Sequence, residues 1–272
     1  MGALHEGHLS LIRAAREACD VVVVSLFVNP AQFNEAADLE RYPRSEARDS
    51  ALAADAGADI LFAPSVEEVY PAGFSTSVEV LGVTERLEGE ARGPEHFRGV
   101  TTVVAKLLGM VQPDVAFFGQ KDAQQVIVIR RLVEDLNLPV QVEALPTVRE
   151  PDGLAMSSRN ALLDPEDRDR ALSIPAALKD AIELVGDGER SAAALIEKAR
   201  RTLLEAGAQV DYVALVDPST LEPLERLDGE ALLAIAARVG AVRLIDNTLL
   251  ATAPSPGTAQ PTHGKAIAAC NA

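Results

Sequence analysis

Four short apolar runs constrain this chain most. Residues 21–28 (VVVVSLFV), 58–62 (ADILF), 114–118 (DVAFF) and 140–145 are nearly continuous apolar stretches rich in β-branched and aromatic residues. That is the pattern of strands buried on both faces of a parallel sheet. Helical periodicity precedes and separates them, at 9–18, 46–56, 100–110 and 123–136. Strands alternating with helices at this spacing predict βαβ units and an α/β, Rossmann-like doubly wound parallel sheet. Such a sheet ordinarily opens with a strand that delivers the chain to its first helix. Here Met1-Gly2-Ala3-Leu4-His5 runs almost directly into a helix, so the first strand is expected to be missing.

The pattern changes after Arg149. Residues 165–185 and 191–206 read as helices, and 210–216, 231–239 and 241–245 as strands, which predicts a smaller α+β unit. With Glu150-Pro151-Asp152-Gly153 as the junction, the expected division is 1–149 and 150–250. The remainder, 251–272, is rich in Ala, Pro, Thr and Gly and is expected to be a disordered tail. At 48% hydrophobic, the chain has enough apolar residues for a real core.

Charge narrows the partners. Twenty-five Lys and Arg against 41 Asp and Glu leave a net charge of −16, which argues against nucleic acid and membrane surfaces. A small anion in a locally basic cleft remains compatible with it. The two cysteines, Cys19 and Cys270, form no C-x-x-C pair and read as free thiols of a reducing compartment. No apolar run reaches membrane-spanning length and no signal-peptide pattern is visible, so a cytoplasmic location is expected.

Four segments carry chemistry. In His5-Glu6-Gly7-His8, two histidines lie three apart at the start of a helix, on one face. A helix N-terminus attracts phosphate, Gly7 lets a ligand approach the backbone, and both imidazoles can donate hydrogen bonds. A plain surface pair or a metal pair would use the same residues, but no third ligand lies at a telling spacing. Gly2 to Gly7 has P-loop spacing but lacks the Lys-Ser/Thr that must follow. In Phe27-Val28-Asn29-Pro30-Ala31-Gln32-Phe33, a strand ends and Asn29 and Gln32 offer amides at the ligand-binding edge of the sheet. In Phe118-Gly119-Gln120-Lys121-Asp122-Ala123-Gln124-Gln125, Lys121 can meet a phosphate, and Asp122 can cap the following helix or hold a magnesium-bound water. Gln125 faces the same cleft one turn later. In Gly153-Leu154-Ala155-Met156-Ser157-Ser158-Arg159-Asn160, two hydroxyls and an arginine in a mobile loop form a polyphosphate clamp, or else a polar linker.

In this order these motifs, with His96-Phe97-Arg98-Gly99-Val100 and Arg243-Leu244-Ile245-Asp246-Asn247, resemble the pantoate–β-alanine ligase family from Met1 to about Leu250. That family lies in the HIGH/KMSKS nucleotidyltransferase-like superfamily; His5 to His8 resemble its first signature, and Met156 to Arg159 stand in for the second. The resemblance implies a Rossmann-like domain, a small C-terminal lid and a homodimer. It also implies ATP- and Mg²⁺-dependent condensation of (R)-pantoate with β-alanine, in coenzyme A precursor biosynthesis, through pantoyl adenylate. Carried over residue by residue, it implies that Met1, Gly2, Ala3, Leu4, His5, Glu6, Gly7, His8, Gly119, Gln120, Lys121, Asp122, Val148, Met156, Ser157, Ser158 and Arg159 border ATP. His5, His8, Lys121, Ser157, Ser158 and Arg159 would serve catalysis, His8 standing where the family assigns a proton donor. Gln32, Gln125 and Asn29 would hold pantoate, and Gln32 would also border β-alanine. Gln120 replaces the family's usual glutamate. The family's sheet also has a strand supplying Pro-Thr before Met1, so a chain lacking it is expected to be poorly stable or weakly active. Two other readings stay open: a nucleotidyltransferase that leaves its nucleotide on the product, and an impaired nucleotide-binding protein.

Overall fold

The computed structural model describes residues 2–32 and 45–252. Met1, Phe33 and 253–272 lie outside them, and with them Met1's place beside ATP and nearly all of the expected tail. The N-terminal part alternates strand and helix. Helix α1 (Glu6–Ala18) leads into β1 (Val23–Ser25), a short 3-10 turn (Pro30–Gln32), α2 (Glu46–Asp55) and β2 (Ile60–Phe62). A short helix α3 (Val66–Val69) is followed by α4 (Glu88–Arg92) and the long α5 (Pro94–Val111). Then come β3 (Val115–Gly119), α6 (Ala123–Asp135) and β4 (Gln141–Leu145). β1 pairs in parallel with β2, Val23 opposite Ile60, and β3 in parallel with β4, Val115 opposite Gln141. The alternation of strand and helix makes the chain α/β, as the apolar runs predict.

Among the described residues no strand joins β1 to β3, and the two pairs stand as separate two-stranded sheets. Residues 21–25 and 114–119 face one continuous cavity of about 1600 Å³, which also reaches the motif residues. The strands are shorter than the apolar runs. Leu26 leaves the ladder after donating its N–H to Phe62, and the chain then turns into the Asn29–Gln32 segment.

The C-terminal part begins with a 3-10 turn (Ser158–Leu162), then α7 (Pro165–Ala171), α8 (Ser173–Gly186) and α9 (Ala192–Glu205). One continuous helix over 165–185 does not form: the chain breaks at Leu172 into two. The antiparallel sheet β5 (Gln209–Val216), β6 (Glu230–Val239), β7 (Val242–Ala251) has β6 at its centre. Successive side chains of a strand point to opposite faces, and β6 uses both. Leu233, Ile235 and Ala237 pack among α8 and α9, with Ile174, Leu195 and Leu203. Leu232 and Ala234 pack on the other side against α5 and α6, with Val100, Val128 and Leu132. This double burial explains an unbroken apolar run in an antiparallel strand and joins the two parts of the chain. A third cluster, Leu4, Leu9, Ile12, Val22, Val24 and Ala53, seats α1 on β1 and α2.

β7 runs well beyond the expected end at Ile245. Asp246 pairs opposite Ile235 and Asn247 opposite Ala234, deep in the sheet. Ala251 closes the strand and Thr252 donates its N–H to Gly229, so these two residues, expected at the start of the tail, belong to the sheet and its edge.

Candidate active site

The loop before α1 is set from a distance. Asp49, on α2 and 1% exposed, accepts the N–H groups of Ala3 and Leu4 at 2.8 Å each. Leu4 is thereby driven into the core, and the chain enters α1 at His5. The two imidazoles lie 4.1 Å apart between centroids. The His5 N–H lies 3.4 Å from His8 Nδ1, which therefore accepts and leaves the ring hydrogen on Nε2. His5 Nδ1 is buried and has no hydrogen-bond partner in the protein. A Cβ at position 7 would sit 3.0 Å from the His5 ring, so glycine makes room for it.

Electrostatics tie this pair to the other motifs. Burial first, then the charge of His5, lowers the His8 imidazole to about 3, so it is neutral at physiological pH. Burial, then the Lys121 ammonium, also lowers His5. Lys121 stands 3.4 Å from the Asp122 carboxylate. Burial would raise that carboxyl, but the charge and hydrogen bond of Lys121, with the charge of Arg159 behind it, hold it below its ordinary value. Asp122 makes no side-chain cap on α6, contrary to one of its expected roles. The amide of Asn247 donates to the Gln120 and Lys121 carbonyls, both at 2.9 Å, and so fixes the turn that carries Lys121. Next to it in β7, Asp246 holds Arg149 at 2.6 and 3.1 Å at the root of the 150–157 segment. The 153–160 stretch, expected as a mobile loop, and the residues before it are laced by hydrogen bonds. Met156 N–H reaches Val148, Glu150 N–H reaches Leu154, Ser157 accepts from the Arg159 N–H, and the Asn160 amide reaches the Ala155 carbonyl.

The Asn29–Gln32 turn lies against the N-terminal half of α5. The Asn29 amide nitrogen donates to Gly99 O (3.0 Å) and to Gln32 Oε1 (3.3 Å). Its oxygen accepts from Tyr70 Oη (2.8 Å) and Ala31 N (3.2 Å). An asparagine side chain has two donor hydrogens and two acceptor lone pairs, and all are used within the protein. Asn29 therefore supports Gln32 from within the turn, and it also lines the large cavity.

Of the residues expected in the site, Gly2, His5, Gly7, His8, Asn29 and Gln32 line the large cavity. So do Gly119, Lys121, Asp122, Gln125, Val148, Met156, Ser157, Ser158 and Arg159. Ala3, Leu4, Glu6 and Gln120 are not among its lining residues. Leu4 is a core residue, Glu6 pairs with Arg13 on the surface, and Gln120 contributes its carbonyl to Asn247. Sequence reading missed Asp49, Tyr70 and Arg149, and it gave His96 and Asp246–Asn247 no role. Among the described residues no group of three or more His, Cys, Asp or Glu side chains could hold a metal, and no helix is long and apolar enough to cross a membrane.

Comparisons with known proteins give the family. The family model described as pantoate-beta-alanine ligase matches residues 1–249. Pantothenate synthetase of Heliobacterium modesticaldum is 57% identical over 251 residues, 92% of this chain and 89% of that protein. Pantothenate synthetase 1 of Bradyrhizobium diazoefficiens is 57% identical over 256 residues, 94% and 90% of the two chains. Among solved structures, pantothenate synthetase from Thermus thermophilus superposes with a TM-score of 0.88 at 48% identity, covering 91% of this chain and 90% of its own. The pantoate-beta-alanine ligase from Francisella tularensis, complexed with beta-gamma ATP and beta-alanine, gives 0.74 at 38% identity, with 92% and 87% covered. With its motifs gathered on one cavity and the match running almost end to end, the chain belongs to the pantoate–β-alanine ligase family.

Proposed function

We propose that this chain condenses (R)-pantoate with β-alanine, converting ATP to AMP and pyrophosphate through a pantoyl adenylate. The observation that carries this reading is the meeting of His5, His8, Lys121, Ser157, Ser158 and Arg159 with Gln32 and Gln125 on one cavity. A carboxylate does not condense with an amine in water because its oxygen is a poor leaving group. Attack of the pantoate carboxylate on the α-phosphorus forms a mixed anhydride and expels pyrophosphate. The β-alanine amine then attacks the acyl carbon, and AMP leaves with its electron pair.

The first step concentrates negative charge around phosphorus. Lys121 and Arg159 supply fixed positive charge there, and the serine hydroxyls and the His8 Nε2–H supply hydrogen bonds. His8, neutral because burial depresses its imidazole, acts as a hydrogen-bond donor and not as an acid. The orphaned His5 Nδ1 becomes satisfied once a polar ligand enters. Gln32 and Gln125 are neutral, so they orient the acid without quenching its nucleophile. Asp122 is a hard oxygen donor beside the cationic cluster. It would be the residue to hold a Mg²⁺ ion or a water bound to it, and such an ion would supply positive charge against the phosphates. Gly2, Gly7, Gly119, Val148 and Met156 border the nucleotide, and residues 150–250 act as the lid over 1–149. The motif resemblance also carries the homodimer and the cytoplasmic location. The test is AMP release from ATP: the account expects release that requires both pantoate and β-alanine. A nucleotidylated product without AMP would overturn it.

A further inference from the structure

We propose that His96 is a positioning residue for the acid substrate: its Nδ1–H holds the Gln32 carbonyl and so sets where the Gln32 amide meets that substrate. The inference rests on the proposed role of Gln32 in binding pantoate. His96 lies in the first turn of α5 and is buried, 9% exposed. Its Nδ1 is 2.9 Å from Gln32 O. A carbonyl only accepts, so Nδ1 carries the hydrogen, and in the neutral ring Nε2 is the acceptor. Arg92 Nη1 lies 3.2 Å from both ring nitrogens, and with Nδ1 already donating only Nε2 can receive it. Arg92 is steadied by Glu88 at 3.4 Å, and Glu88 by Arg243 and by the Tyr212 hydroxyl at 2.7 and 2.9 Å. The ring's tautomer is thus fixed from both sides. Burial, followed by the Arg92 charge, lowers the imidazole to about 4, consistent with a neutral ring.

The same face of α5 holds the turn a second time. Gly99 O receives the Asn29 amide, and a Cβ on Gly99 would lie 2.2 Å from Ala31 O. Helix and turn touch backbone to backbone there, which only glycine permits. Asn29 fixes the beginning of the turn, and His96 fixes its last residue, the one whose amide serves the substrate. Losing the His96 bond releases Gln32 while leaving the Lys121 cluster, and hence ATP, untouched.

The experiment compares His96→Ala with His96→Asn in steady-state AMP release, varying pantoate and ATP separately. An asparagine amide nitrogen stands about where Nδ1 does. His96→Ala is expected to raise the pantoate KM about tenfold, with the ATP KM within about twofold of wild type, and His96→Asn to recover most of the loss. A fall in kcat with the pantoate KM unchanged, equal effects on both substrates, or no recovery in His96→Asn overturns the proposal. A wild-type chain without pantoate-dependent AMP release overturns the ligase reading instead. In that case ¹⁵N NMR of His96 decides the present inference: a neutral Nδ1–H tautomer near pH 7 supports it, and an Nε2–H tautomer or a charged ring refutes it.

Discussion

Asp49→Ala removes the shared acceptor of the Ala3 and Leu4 N–H groups, both held at 2.8 Å by a carboxylate that is almost fully enclosed. Leu4 cannot turn outward to hydrate its amide without surrendering a core position. The buried Leu4 donor without a partner costs about 1–3 kcal/mol and the half-buried Ala3 donor less, so the expected destabilisation is about 2–4 kcal/mol. At about 2–4 °C per kcal/mol for a chain of this size, Tm should fall by at least about 4 °C. The loss should also reach function. The Gly2–His5 loop sets the register in which His5 and His8 enter α1, so kcat/KM for ATP should drop at least about tenfold, a 1.4 kcal/mol effect. That rate is to be measured well below the variant's Tm, where both proteins are folded. Calorimetry and initial rates give the two numbers, with Glu46→Ala, on the same helix, as the control. A Tm within about 1 °C of wild type together with unchanged kcat/KM would show that the loop is held by something else.

Three further expectations follow from the same geometry. His8→Gln keeps an N–H near the Nε2 position, so its turnover should exceed that of His8→Ala by about tenfold or more; equal loss would reinstate proton transfer by His8. His5, His8 and His96 are all depressed in the folded chain, so the unfolded chain binds protons first as pH falls below about 6.5. Stability is then complete above that pH and lost as pH drops toward about 4. Urea midpoints compared at pH 7.5 and 5.0, above the range where carboxylates titrate, should therefore decline; a flat profile contradicts the assignment. Asp246→Ala strands Arg149, which keeps some access to water, so the cost should fall below the 3–5 kcal/mol of a fully buried pair, at about 2 kcal/mol. Turnover should fall as well, because the 150–157 segment loses its root; denaturant titration and a rate assay at one temperature check both.

The parallel strands and their helices were legible because β-branched runs and 3.6-residue periodicity are local properties. The break at Leu172 was not, since Leu172 keeps helical backbone angles and the apolar pattern continues across it. β7 looked short because Asp246 and Asn247 are poor strand residues in isolation. Their partners, Arg149 and the Gln120 and Lys121 carbonyls, lie about a hundred residues earlier and appear only once the sheet is assembled. The cavity-lining motifs announced themselves through residue type at strand ends. Asn29 shows what that signal leaves out: its amide also bonds Tyr70 and Gly99, 41 and 70 residues on, which no local pattern announces. Asp49 gave no signal at all. Within α2 it reads as one more acidic residue of a solvated face, and only the docking of the Gly2–His5 loop buries it.

The central claim is that the cationic and hydrogen-bonding cluster around His8, Lys121 and Arg159 activates an acid as its adenylate. Turnover of pantoate labelled with ¹⁸O in its carboxylate tests this directly, because the oxygen that attacks phosphorus leaves with it. The account predicts one ¹⁸O in the AMP phosphate and none in pyrophosphate; unlabelled AMP, or label in any other phosphate, would contradict it.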